Sequence, residues 1–195
     1  MNNLQQLREQ ANACKDCAGQ MPHAPNPVFV WPDAPKIILI SQAPGRLAHA
    51  SSIAWNDASG ERLRGWLRVE RGTFYESGAF AVLPMGFCFP GYKNGADAPP
   101  LKACAPKWHH QFLSRAKPSL TIFVGRYAQQ SYLPQYKTLT EAVSDFENLL
   151  PARIVLPHPS GRNNRWLAKH NWFEGALLPS LKQCVAGVLS SGTNA

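Results

Sequence analysis

The sequence predicts an α/β protein of the three-layer α/β/α kind, built on a central four-stranded, mainly parallel sheet. Three observations carry this. Short apolar runs rich in β-branched residues occupy positions 36–41, 80–83, 120–124 and 153–156, with the length and composition of buried strands. Segments of helical periodicity separate them, and strands alternating with helices form parallel sheets covered on both faces. Two polar turns follow the first and last runs: Ser41-Gln42-Ala43-Pro44-Gly45 and Pro157-His158-Pro159-Ser160-Gly161-Arg162-Asn163. Ligands of such sheets bind beyond the carboxyl ends of the strands, so the active site is expected between these turns.

The remaining elements follow in order. Residues 4–13 form a short helix leading into Cys14. The stretch 22–35, PHAPNPVFVWPDAP, holds too many prolines for a helix and is expected to be an extended connection. Ser59 is the expected N-cap of a helix on which Leu63, Trp66 and Leu67 recur at helical spacing. The third strand ends at Gly125 and leads into a helix near 126–133. Thr138-Leu139-Thr140-Glu141 has the capping-box pattern, with Leu139, Val143, Phe146 and Leu150 on one apolar face and Glu141, Asp145 and Glu147 on a solvated one. Cys184, among Leu178, Leu181, Val185 and Val188, reads as a small buried hydrophobe.

At 195 residues and 45% hydrophobic content, the chain is expected to form a single domain, 1–195. No apolar run approaches the ~20 residues that span a bilayer, and the amino-terminal residues lack a signal-peptide pattern. A cytoplasmic monomer without a membrane partner is the expectation. Twenty Lys and Arg against twelve Asp and Glu leave a net charge of +8, which suits a polyanionic partner. Five cysteines without an export signal argue against a disulfide framework. Four of them stand as Cys14-x2-Cys17 and Cys88-x15-Cys104, an arrangement that a four-thiolate centre needs. Tetrahedral zinc and an iron–sulfur cluster both meet that requirement.

Three motifs, taken in order, resemble those of the uracil-DNA glycosylase superfamily. SQAPG (41–45) is similar to its first motif, and LPHPSGRN (156–163) to its His-Pro-Ser motif. Between them AWNDASGERLRGWL (54–67) resembles the segment that supplies a base-stacking aromatic and the helix after it. The cysteine spacing is similar to that of the 4Fe–4S ligands in the iron–sulfur-containing bacterial branch, families four and five. Within it, LPMGFCFPG (83–91) together with HPSGRN resembles one bacterial group. The resemblance runs from Cys14 to Trp172.

It implies a DNA repair enzyme that removes uracil or another deaminated base from single- or double-stranded DNA and leaves an abasic site. Such chemistry needs a donor for the departing anionic base, a carboxylate or dipoles near the cationic sugar, and an aromatic surface for the extruded base. His158 is the candidate donor. Asp57 is the candidate for orienting the water, and an Asp beside a helix start is equally read as a cap. His49, in the loop that crosses the pocket in this family, is the second candidate. Trp55 is the candidate stacking platform, since an aromatic between Ala54 and Asn56 in a polar loop has little reason to be buried. Gln42 and Ala43 are expected to line the pocket through backbone groups, with Gly45 allowing close approach. Ser160, Arg162, Asn163 and Arg165 are the expected DNA contacts, and Lys102, Lys107, His109 and His110 extend the basic surface. Cys14, Cys17, Cys88 and Cys104 would hold a structural 4Fe–4S cluster, with zinc as the alternative.

Two positions depart from the resemblance. Ala43 stands where some branches place a water-activating Asp, and Leu83-Pro84-Met85-Gly86 stands where the iron–sulfur branches place an Asn that reads uracil. The base and the water activator therefore stay open at this stage. Two alternatives remain beside the glycosylase: an inactive iron–sulfur DNA-binding protein on the same fold, and a zinc-structured hydrolase of a nucleoside-like compound.

Overall fold

The computed structural model describes residues 3–191. Helix α1 (Asn3–Asn12) leads through the first cysteine pair and the proline-rich segment to strand β1 (Ile37–Ile40). Helices α2 (Arg46–Ser51), α3 (Ala58–Leu67) and α4 (Arg71–Glu76) connect β1 to β2 (Phe80–Val82). A small hairpin, β3 (Tyr92–Lys93) and β4 (Ala96–Asp97), follows, then α5 (His110–Leu113), β5 (Leu120–Val124) and α6 (Arg126–Tyr132). The chain ends with α7 (Leu139–Ser144), α8 (Phe146–Leu149), β6 (Arg153–Leu156), α9 (Asn164–Lys169) and α10 (Leu178–Ser190).

The four predicted strands form one all-parallel sheet in the order β2-β1-β5-β6, flanked by helices in three layers. Strand β1 lies between β2 and β5, with Ile38 opposite both Ala81 and Thr121. Its residues Ile37–Ile40 are fully buried, which is why the run contains no polar residue until Ser41. On one side α3 packs against α10, and Trp66 meets Phe173 edge-on at 4.9 Å between ring centroids. Elsewhere Phe29, Trp31, Phe87 and Phe112 form an aromatic group under the proline-rich segment.

That segment is extended, as its prolines require, and it also closes a sheet edge. Val30 exchanges backbone hydrogen bonds with Val82 at 2.9 and 2.7 Å in an antiparallel bridge. The outer edge of β2 is therefore partly covered rather than left as bare backbone.

Several local expectations need correction. Helix α3 starts at Ala58, and its cap is Asp57, not Ser59: the Asp57 side chain accepts from the Gly60 amide at 2.8 Å. The carboxylate two residues upstream takes the Gly60 amide, one of the donors left open at the start of the helix. The apolar face of 139–150 is split between α7 and α8. The capping box at Thr138 is present, but Asp145 breaks the helix by bonding to the Tyr136 hydroxyl and to Asn148. His109 does not belong to a basic surface. It is 3% exposed, its Nε2 donates to the Pro84 carbonyl at 2.9 Å, and its Nδ1 accepts from the Tyr132 hydroxyl at 2.6 Å. Lys107 is exposed but paired with Asp16 at 2.6 Å, which ties the first cysteine loop to the segment after Cys104. Cys184 is only half-buried, with its thiol 3.6 Å from the Pro151 carbonyl.

Gly125 ends β5 with φ 82° and ψ 171°, a conformation open almost only to glycine. It turns the chain away beneath His158, whose Cβ would lie 3.7 Å from a Cβ added there. Gly125→Ala should therefore lower the unfolding free energy by about 2 kcal/mol, read as a reduced urea midpoint at unchanged slope.

Candidate active site

The carboxyl ends of β1, β2 and β6 surround a narrow cleft of about 90 Å³. The turn after β1 contributes Ser41, Ala43, Pro44 and Gly45, β2 and the residues just beyond it contribute Val82 and Pro84, and the turn after β6 contributes His158 and Ser160. Trp55, Asp57 and Ser59 enter from the start of α3, and Asp97 enters from the β3–β4 hairpin. A larger cavity, about 490 Å³, lies beyond the Pro84–Met85 segment and is lined mostly by prolines, Met85, Leu101 and two tyrosines. Its lining has no carboxylate or histidine. The groups able to do acid–base chemistry meet in the smaller cleft, which is why the site is placed there.

His158 is held by its own turn. The Ser160 amide donates to its Nδ1 at 3.3 Å, and Asn163 Nδ2 donates to its backbone carbonyl at 2.6 Å. An Nδ1 that accepts leaves the ring proton on Nε2. Burial pushes the His158 pKa below its ordinary value, with Asp57 pulling weakly the other way. The ring is thus a neutral imidazole with one N–H to offer.

Trp55 lies beside it, ring centroids 5.5 Å apart and planes tilted by 32°. Contrary to the expectation of an exposed loop aromatic, Trp55 is 8% exposed and belongs to the core. Its backbone has φ 59°, a left-handed conformation that strains a bulky residue by roughly 1–2 kcal/mol. Three neighbours hold it there. Buried Arg64 donates to the Trp55 carbonyl at 3.2 Å, and Tyr75 donates its hydroxyl to the Ala54 carbonyl at 2.8 Å. Gly60 packs directly under the Trp55 carbonyl: an added Cβ would sit 1.7 Å from its oxygen. Arg64 is itself satisfied by Glu61 at 2.5 Å and by Tyr75 at 3.2 Å. A buried cation with its donors used locks the turn in place.

Residues 28–182 match the family model of the uracil DNA glycosylase superfamily. The chain belongs to this superfamily. Membership supports a glycosylase-like enzyme acting on DNA, on the three-layer fold described above. No helix among the described residues is long and apolar enough to cross a membrane.

Seen as a superfamily site, the cleft contains Ala43, Gly45, Trp55, Asp57, His158 and Ser160 of the residues singled out from sequence. Gln42 is not in its lining, and its backbone carbonyl accepts from the Gly86 amide at 3.0 Å. His49 is also outside the lining. It faces His23, with ring centroids 4.3 Å apart, and Phe89, and its buried Nδ1 has no hydrogen-bond partner. The loop residue expected to reach the pocket is displaced because α2 carries it onto this aromatic group. Arg162 donates to the Gly95 carbonyl and Asn163 to that of His158, so both side chains brace the site. Arg165 is exposed on the first turn of α9. Lys102 lines the larger cavity. Asp97 was missed from sequence because a single Asp in a short Gly-containing hairpin carries no signal of where the hairpin folds.

The four cysteines approach one another from two distant segments. Cys17 and Cys88 are buried together with Met21 and Leu101, and none of the four forms a disulfide. Burial raises the Cys17, Cys88 and Cys104 thiols, Cys88 to about 11, and each is raised further by its neighbouring cysteines. The Phe87 amide donates to Cys104 Sγ at 3.5 Å, and the Asn26 backbone donates to Cys88. Among the described residues, no three His, Cys, Asp or Glu side chains stand in the arrangement that holds a single metal ion. The donor set nevertheless fits a thiolate-bound centre. Burial and mutual repulsion keep these thiols protonated, and a positive centre placed among them is what would convert them to thiolates.

Two outcomes are expected. Gly60→Ala should force the Trp55 turn to shift, lowering stability by about 2–3 kcal/mol in chemical denaturation and weakening any ligand bound in the cleft. Second, burial lowers the pKa of His49, His109 and His158 below 6.5. The unfolded chain then binds more protons than the folded one as pH falls, so stability is full above pH 6.5 and declines below it. Urea midpoints measured against pH should show that decline, and His49→Phe should make it shallower.

Proposed function

We propose that this protein is a monofunctional DNA glycosylase that hydrolyses the N-glycosidic bond of uracil or another deaminated base in DNA. The observation that carries the reading is the neutral His158, its Nε2 proton available beside Trp55 at the rim of a ring-sized cleft. The extruded base stacks on Trp55, and His158 Nε2–H donates to the base carbonyl on which negative charge gathers as the bond breaks. Asp57 has Oδ1 committed to Gly60, so Oδ2 is the atom that orients water and faces the developing sugar cation. Monofunctional chemistry is supported by a lining without lysine, and hence without an amine for a covalent sugar adduct. Backbone phosphates are met by Ser160 and Arg165, while Arg162 and Asn163 hold the turn that presents His158. The protein is read as a cytoplasmic monomer, and the +8 charge supports electrostatic association with DNA.

Cys14, Cys17, Cys88 and Cys104 would hold a 4Fe–4S cluster of the iron–sulfur branch. The cluster would supply a thiolate-bound cross-link between the first loop and the 88–104 segment. All bond cleavage is left to the residues of the cleft. The alternative reading, an inactive DNA-binding protein, is favoured by Ala43, which brings no carboxylate to the turn after β1.

The deciding experiment is single-turnover base release from oligonucleotides carrying uracil, hypoxanthine or xanthine, in single and double strands. Iron and zinc are to be measured in each preparation. The expected result is release of one of these bases by an iron-containing protein. His158→Ala and Asp57→Asn should each slow release by about 100-fold or more with DNA affinity kept. Tight binding with no release from any substrate would establish the inactive reading, and zinc in place of iron would overturn the cluster assignment.

A further inference from the structure

Two carboxylates enter the cleft from opposite sides. Asp57 comes from the start of α3 with Oδ2 turned away from its cap, and Asp97 closes the β3–β4 hairpin. Gly45 lies between them. A Cβ at that position would stand 3.7 Å from Asp57 Oδ2 and 3.8 Å from Asp97 Oδ2. Two acidic oxygens thus flank one point above a glycine floor, in the same cavity as His158 and Trp55.

Such a pair is unfavourable as two bare charges unless a proton, a water or a cation is shared between them. The neighbouring cation is Arg162, and it is already tied to the hairpin through the Gly95 carbonyl. Asp97 is solvent-exposed at the mouth of the cleft; the desolvation it does undergo raises its pKa above the ordinary value, Arg162 opposes this, and the Asp57 charge adds to it. The hairpin is latched to the turn that carries His158, so the two carboxylates and the imidazole are set in fixed relation.

We propose that Asp97 is a second acid–base residue of the hydrolysis, holding the attacking water jointly with Asp57. The inference rests on the glycosylase reading above. In the step, the water oxygen bonds to the sugar C1′ as the bond from C1′ to the base nitrogen breaks. The electron pair leaves with the base, whose carbonyl oxygen is held by His158 Nε2–H. The proton lost by the water passes to the Asp57–Asp97 pair and reaches the base or solvent as products leave, with nothing oxidised or reduced. This arrangement also accounts for Ala43: the carboxylate absent from the turn after β1 is replaced by one delivered from the hairpin.

The test uses the iron-loaded full chain and the oligonucleotide that the parent cleaves. Single-turnover rates are measured from about pH 5 to about pH 9 for the parent, Asp97→Asn and Asp97→Glu. DNA affinity and melting temperature are measured on the same samples. Asp97→Asn should lose about 100-fold in rate while keeping affinity and melting temperature. It should also move the acid limb of the profile to lower pH, since one member of a like-charged pair is gone. Asp97→Glu should recover part of the rate and the original limb, and it decides the matter if the Asn variant fails to fold. An Asn variant with parental rate and profile overturns the role of Asp97 and leaves the glycosylase reading intact. So does a rate loss that only follows lost affinity or melting temperature. A parent that releases no base overturns both readings together.

Discussion

The cleft depends on one constraint: β1 is hydrogen-bonded on both sides, to β2 and to β5. The chain leaves β1 toward β2 at one edge and later returns to place β5 on the other. The connections after β1 and β5 therefore lead away in opposite directions, and a crevice opens beyond the strand ends. Ser41, Ala43, Pro44 and Gly45, together with Pro84 and the His158 turn, border that crevice for this reason. Parallel pairing with both faces covered also explains why β1 and β2 are wholly apolar and why β5 and β6 depart from this only at Thr121 and Arg153.

On this frame the site is stiffened by polar groups rather than by packing alone. Arg64 is nearly inaccessible, yet its donors are spent on Glu61, Tyr75 and the Trp55 carbonyl. The strain in the Trp55 backbone is held by this network and by the absence of a side chain at Gly60. A fixed imidazole and a fixed indole spare the reaction the reorganisation that mobile dipoles would require.

Two latches then join parts of the chain that local structure leaves independent. Arg162 binds the hairpin to the His158 turn, and Lys107 binds the first cysteine loop to the segment after Cys104. The second latch lies beside the two cysteine pairs, which come from opposite ends of a seventy-residue gap. Arginines and lysines counted from sequence as free for phosphate are in part used inside the protein.

By itself the sequence determined the four strands, the turns at their carboxyl ends, the capping box at Thr138 and the residue types at the cleft. Each is a local matter of apolar period, backbone preference or short-range capping, and each leaves a mark within a few residues. Tertiary structure decided what depends on distant partners. Asp57 rather than Ser59 caps α3 because of how the Trp55 turn sits on Gly60. Trp55 is buried because α3 and Tyr75 enclose it, and His49 packs against His23, twenty-six residues earlier. Asp97 lines the cleft from a hairpin that Arg162 joins to the His158 turn. These placements are set by contacts across the fold, and nothing in the neighbouring residues encodes where such a contact will fall.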